Sequence, residues 1–143
     1  MTAAGQSGGP TVADVIAVAE FRAALRQFLR RSERIARHCG LTPQRYMLLL
    51  MIKGSPTGTE QSTVTELSQR MQLAQSTVTE LVRRAEEAGL VEREQSQLDA
   101  RVAHLRLSDE GERRLMQSFT ELAKERDQVR DAFSHLDHVL PEL

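Results

Sequence analysis

The stretch from Ser62 to Leu107 constrains this chain most, because it sets two helical patterns only a few residues apart and follows them with a glycine. Thr63-Val-Thr-Glu-Leu67 opens the first: a threonine followed three residues later by a glutamate is a capping box, and Val64, Leu67 and Met71 form an apolar face. The turn Gln72-Leu-Ala-Gln75 leads into the second pattern, where Val78, Leu81, Val82 and Ala85 recur at helical spacing. That spacing leaves Gln75, Ser76, Thr77, Thr79, Glu80 and Arg83 on the outer side, near the helix start. Gly89 is a stop. Leu90-Val-Glu-Arg93 and Val102-Ala-His-Leu-Arg-Leu107 have strand character, and the eight residues Glu94 to Arg101 join them as a polar tip. Helix, tight turn, helix and hairpin in this order predict a winged helix-turn-helix.

The flanks are helical. After a small, glycine-rich stretch read as a disordered tail (1–12), Asp14 is placed to cap a helix of about 25 residues. Its apolar face is Val15, Val18, Phe21, Leu25, Phe28, Ser32, Ile35 and Cys39, widened by Leu29 and Ala36. Such a helix is longer than one small domain needs, so one strip is expected on the domain and the rest on another subunit. Arg22, Arg26, Arg30 and Arg34 form a stripe on it, expected to pair with Glu121, Glu125, Asp127 or Asp131 rather than to track phosphates. Gly40 ends the helix, and Thr42-Pro43 starts the next as N-cap and first residue. In that helix Tyr46, Leu49, Leu50 and Ile52 suit burial, with Met47 and Met51 on another side. Ser108 caps a last helical region carrying Leu115, Phe119, Leu122, Val129, Phe133, Leu136 and Leu140. A break is expected near Arg126–Arg130, and Pro141 ends the region.

Charge complicates a nucleic-acid reading. The whole chain carries a formal net charge of −1, whereas nucleic-acid binders are usually basic. Residues 1–41 hold six arginines against three acids, and residues 109–143 hold five basic residues against nine acids. The stretch 62–107 itself has six arginines against seven acids. Any affinity for DNA must come from where side chains sit. A reading helix needs short polar side chains at its N-terminal end, an apolar back and a partner helix that fixes its angle. The second helix of the stretch has all three, and its positive end favours phosphate. Gln75 suits bidentate contact with adenine, while Ser76, Thr77 and Thr79 suit bases, phosphates or the thymine methyl. Glu80 repels phosphate, so it must accept from cytosine, point away or pair with an arginine, and pairing is the favoured expectation. Arg101 ends the tip, where a lone basic side chain can enter the minor groove, and Asp99 is placed to hold it or brace the hairpin.

Taken together, these residues resemble the MarR family of bacterial transcription regulators, over about Val15 to Leu140. The carrying motifs are Gly40-Leu-Thr-Pro-Gln44, Thr63-Val-Thr-Glu-Leu67, Ser76-Thr-Val-Thr79, Gly89-Leu-Val-Glu-Arg93, Asp99-x-Arg101 and Leu107-Ser-x-x-Gly111. The resemblance implies a mainly α fold with a small β-hairpin wing. It divides 13–143 into a winged DNA-binding lobe (42–107) and a helical dimerisation layer (13–39 and 109–140). It implies a homodimer on a palindromic double-stranded operator, with Thr63, Gln75, Ser76, Thr77, Thr79, Arg83, Asp99 and Arg101 at the DNA. It also implies repression released by a small aromatic or lipophilic effector, for which Phe28, Tyr46, Met47, Met51 and Phe119 are the candidate lining. The chain departs from the pattern at Ala74, where a serine often caps the reading helix, and at Glu94, often basic.

Other readings are weaker. A winged helix kept as a protein-interaction module, with DNA binding weak or lost, is the alternative that the acidic balance motivates. No Gly-rich phosphate loop, metal-ligand run or nucleophile signature points to an enzyme, a metal or a cofactor. Cys39, the single cysteine, reads as structural, and His135 and His138 share a helix face without a carboxylate cluster. The longest apolar run, Met47 to Ile52, is far below the roughly 18–20 residues that cross a bilayer, and no signal peptide is evident, so a cytoplasmic location without membrane association is expected.

Overall fold

The computed structural model describes residues 8–136. Leu140, Pro141 and His138, and most of the tail, lie outside the described residues. Six helices and one hairpin follow in order: α1 (Val12–His38), α2 (Pro43–Lys53), α3 (Val64–Met71), α4 (Gln75–Glu87), β1 (Val91–Gln95), β2 (Ala103–Leu107), α5 (Asp109–Glu121) and α6 (Ala123–Ser134). This is the mainly α, winged architecture expected. The described residues fall into two units, one of 8–31 and 122–136 and one of 32–121. No helix among them is long and apolar enough to cross a membrane.

Local chemistry sets the element ends in the larger unit. Gly40, at φ +80°, closes α1 in a Schellman turn: the Leu41 N–H donates to the Ala36 carbonyl at 2.8 Å and the Gly40 N–H to the Arg37 carbonyl at 3.1 Å. Thr42 then caps α2, accepting the Arg45 N–H at 3.2 Å, with Pro43 as the first helical residue. Thr63 caps α3 through the Glu66 N–H at 3.2 Å, and Ser108 caps α5 through the Gly111 N–H at 3.0 Å. Gly89 repeats the Schellman turn after α4, with the Leu90 N–H on the Ala85 carbonyl at 2.9 Å.

The core of this unit collects one face from each element. Leu41, Leu48, Leu49, Ile52, Leu67, Val78, Val82, Ala85, Leu90, Leu105 and Leu115 are buried. Leu48, not singled out by spacing, is fully buried, while Leu50 is only half-buried. α2 is covered on more than one side, so a single helical stripe under-counts its core positions. The hairpin pairs antiparallel from Val91↔Leu107 to Gln95↔Ala103. Ser62 adds a short third rung, donating its N–H to Leu105 at 3.1 Å and accepting that residue's N–H at 2.8 Å. The hairpin thus grips the residue just before the N-cap of α3.

In the smaller unit, α1 and α6 meet through Phe21 and Phe133, whose rings lie edge to face at 5.8 Å. Arg31 Nε donates to Glu125 Oε1 at 2.7 Å. Arg31 is therefore the arginine of α1 that pairs with the C-terminal acids. Arg22, Arg26, Arg30 and Arg34 form no ion pair among the described residues, which corrects the expected pairing of the stripe. Arg31 lies off that stripe, on the side that meets α6.

Three further expectations are corrected. The cap of α1 is Thr11: its hydroxyl accepts the Asp14 N–H at 3.2 Å, and the Asp14 carboxylate reaches back to the Thr11 N–H at 2.8 Å. Asp14 is the reciprocal partner, and the helix starts at Val12, inside the expected tail. β1 runs to Gln95, two residues past Arg93, because backbone pairing continues where the outward side chains are polar. The C-terminal helix breaks at Leu122, not at Arg126–Arg130. Ser118 and Thr120 return their hydroxyls to the Arg114 and Met116 carbonyls at 3.0 and 2.9 Å just before it, and such back-bonds bend helices.

Candidate nucleic-acid interface

α4 is built to show one face. Val78, Val82 and Ala85 are fully buried and Leu81 nearly so, whereas Gln75, Ser76, Thr77 and Thr79 are exposed. The helix follows α3 after a turn in which Gln72 adopts the left-handed region at φ 57°. No side chain caps α4, because Ala74 at the N-cap has none to offer. The amides of its first turn are therefore open to an acceptor from outside. Gln75 Nε2 donates to Thr65 Oγ1 at 3.4 Å, which links the helix starts of α3 and α4. Ser76, Thr77 and Thr79 make no side-chain hydrogen bond among the described residues. The Thr63 hydroxyl, by contrast, is committed: it caps α3 and donates to Glu66 Oε1 at 3.1 Å.

The wing tip is shaped by short polar contacts. The Ser96 hydroxyl accepts the N–H groups of Leu98 and Asp99 at 3.2 and 3.4 Å. Asp99 Oδ1 accepts the Arg101 N–H at 3.0 Å and lies 3.7 Å from Arg101 Nε. The Arg101 side chain is 94% exposed. Arg93 Nη2 donates to Glu86 Oε1 at 2.7 Å, which ties β1 to α4 and so couples the wing to the helix.

The basic side chains are mostly held. Arg83 grips Glu80 with both arms, Nε to Oε2 at 2.9 Å and Nη2 to Oε1 at 2.6 Å, and its third nitrogen donates to Glu87. Arg84 Nε also reaches Glu80, at 3.0 Å. The Arg83 hydrogen bonds, joined by Arg84, lower the Glu80 carboxyl to about 2, and Glu80 in turn raises Arg83 further above its ordinary range. Arg70 Nη1 donates to the Met51 carbonyl at 2.9 Å, and Arg106 Nε to Glu92 at 3.3 Å. The expected pairing of Glu80 with an arginine is present. The part of Glu87 was missed, although its spacing, four residues beyond Arg83, signals it.

A second polar feature of this unit is a cleft of about 330 Å³ lined by Lys53, Glu60, Glu92, Arg106, Asp109 and Glu112, among others. Lys53 bridges Glu60 at 2.9 Å and Glu112 at 2.5 Å, which raises its pKa, chiefly through the Glu112 bond. Its lining is acidic on balance and unsuited to phosphate. Of the candidate effector residues, Tyr46 is buried, Met51 is half-buried, and Met47 and Phe119 are 37% and 40% exposed. Phe28 is half-buried in the smaller unit, apart from the other four in sequence and unit.

Comparison with known proteins fits this geometry. The model of the MarR family matches residues 40–102, which span α2 to the wing tip. No curated protein matches the sequence. Among solved structures, AbsC, a MarR family transcriptional regulator from Streptomyces coelicolor, superposes with a TM-score of 0.70 at 20% identity, over 94% of this chain and 93% of that one. A cysteine-to-serine variant of MarR from E. coli, solved with operator DNA, gives 0.67 at 17% identity over 84% and 87%. A transcriptional regulator from Thermotoga maritima gives 0.62 at 23% over 84% and 90%. Residues 40–102 thus match the model of the MarR family, and the chain shares the fold of solved MarR-family transcription regulators.

Proposed function

We propose that this protein is a homodimeric, sequence-specific DNA-binding transcription regulator that acts as a repressor. The observation that carries the reading is the start of α4, where Gln75, Ser76, Thr77 and Thr79 are exposed above a buried apolar back. Such a helix fits the major groove, with its uncapped first turn toward phosphate. Arg101 on the wing suits the minor groove, where the potential is most negative. The E. coli MarR variant with which the chain shares its fold was solved with operator DNA, and that supports the same use of α4 here.

The second support is an unfinished apolar surface. Val15, Ile16 and Leu29 on α1 and Phe133 on α6 are 48–62% exposed. A face of this kind suits a second copy of the chain, giving the dimer that a palindromic operator requires. Repression, and release by a small aromatic or lipophilic effector, follow from the family resemblance. Met47 and Phe119 are the candidate effector contacts most open to solvent.

The test is a binding titration on duplex from upstream of the gene against random duplex, at several salt concentrations. A preference for the upstream duplex that falls at least tenfold with Arg101→Ala is expected. Equal binding to both duplexes at moderate salt overturns the reading. The runner-up, a winged-helix interaction module with weak or lost DNA binding, draws on the carboxylates that hold Arg83, Arg84 and Arg106. It requires that Arg101→Ala leave DNA binding unchanged.

A further inference from the structure

Arg83 and Arg84 are the basic side chains of α4, and each is already engaged. Arg83 is gripped from both sides of its guanidinium, bidentate to Glu80 and singly to Glu87, while Arg84 shares Glu80. Two cations and two carboxylates make this cluster electrically neutral. All four side chains are 44–63% exposed, so burial does not force the pairing. A single exposed ion pair is weak, but a planar fork held by three hydrogen bonds to two carboxylates is ordered in one geometry. For Arg83 to reach a phosphate it must leave both partners, and the freed Glu80 and Glu87 then face the backbone charge of DNA. Elsewhere in the winged stretch the pattern repeats, with Arg93 on Glu86 and Arg106 on Glu92. Arg101 has only the looser contact with Asp99.

Building on the assignment of α4 to DNA, we propose that Glu80 is a specificity-determining residue: it restrains Arg83 and Arg84 from phosphate and so suppresses binding to non-cognate duplex. Non-specific affinity comes almost wholly from phosphate neutralisation. With those arginines restrained, discrimination falls to Gln75, Ser76, Thr77 and Thr79 at the helix start and to Arg101 on the wing. Glu80 touches no base in this proposal and works through the arginines. Its removal therefore acts differently from simple loss of a repelling charge: the gain must depend on Arg83 and Arg84.

The experiment uses the full chain and a labelled random-sequence duplex of about 30 base pairs, titrated from low to moderate salt. Glu80→Gln is expected to tighten binding at low salt by about fivefold or more. It should also steepen the plot of log affinity against log salt by about 0.9 for each additional phosphate neutralised. In an Arg83→Gln/Arg84→Gln background the same substitution is expected to change affinity less than twofold. Circular dichroism checks that helix content is retained. An unchanged slope and affinity for Glu80→Gln, with wild type binding normally, overturns the restraint alone. An equal gain in the arginine-free background also overturns it, in favour of bare repulsion. Absence of binding to any duplex by both proteins at low salt overturns the assignment of α4 and the proposal with it.

Discussion

Gly111 shows how one residue fixes the start of α5 against the end of α4. A Cβ built there would stand 2.1 Å from the Leu90 carbonyl oxygen, a backbone atom that also accepts the Ser108 N–H at 3.0 Å. Neither side can yield without losing that hydrogen bond. Gly111→Ala is therefore expected to destabilise the fold by at least about 1–3 kcal/mol, read as a lower urea midpoint with an unchanged slope. A midpoint equal to wild type would show that the two segments separate freely. Glu80 gives a second residue-scale outcome. Its carboxyl is lowered to about 2 from 4.5, so the fold favours the charged form. The contribution of its pairs is complete above about pH 4.5 and lost as pH falls toward 2. A carbon-detected titration of the Glu80 carboxylate should give a midpoint near 2; a midpoint near 4.5 would mean the pairs do not persist in solution. The i+3 and i+4 spacing of Arg83 and Arg84 made these pairs readable from sequence. The close approach at Gly111 was not readable, because it depends on a carbonyl 21 residues away in the chain.

At the scale of elements, α4 lacks the cap that the other helices of its unit possess. Ala74 has φ −63° and ψ 147°, a backbone a serine adopts without strain. Ala74→Ser is expected to stabilise the protein by about 0.5–2 kcal/mol by satisfying an open amide of the first turn, measured by urea unfolding. No gain would show that those amides are already satisfied by water at no cost. The caps at Thr42, Thr63 and Ser108 and the stops at Gly40 and Gly89 were legible because each is settled within a few residues. The face of α4 was legible for the same reason: periodicity is local. Where the expectation failed, a longer-range or less specific cause acted. The break at Leu122 has no proline or glycine to announce it, and hydroxyl back-bonds occur in many unbroken helices. β1 outran its apolar signal because ladder hydrogen bonds do not depend on side-chain polarity. The partner of Glu125 proved to be Arg31 rather than a stripe residue because helix rotation about the α6 contact, not spacing alone, selects it.

The whole molecule poses the question of what completes α1. Of its 27 residues only Ser32 and Ala36 are buried, both near its end. Val15, Val18, Phe21, Leu25 and Phe28 keep helical spacing, yet Val15 is 62% exposed and the others are only half-buried. Ile16 beside them is 53% exposed. Under the proposed function this incomplete apolar face takes a second copy, and a stretch with six arginines against seven acids relies on that copy to hold an operator. Two linked reading helices gain roughly 10²–10⁴ over one, through effective concentration alone. Val15→Glu/Ile16→Glu puts charge on the exposed strip without opening a cavity, so helix content should be unchanged. Light scattering is expected to show a dimer for wild type and a monomer for the variant. Affinity for a palindromic operator should fall by about 100-fold or more, while affinity for a single half-site should be within about twofold of wild type. A variant that remains dimeric would place the interface elsewhere on the chain. A monomeric wild type at micromolar concentration would remove the dimer from the binding argument, and Gln75, Thr79 and Arg101 of one chain would then have to carry affinity alone.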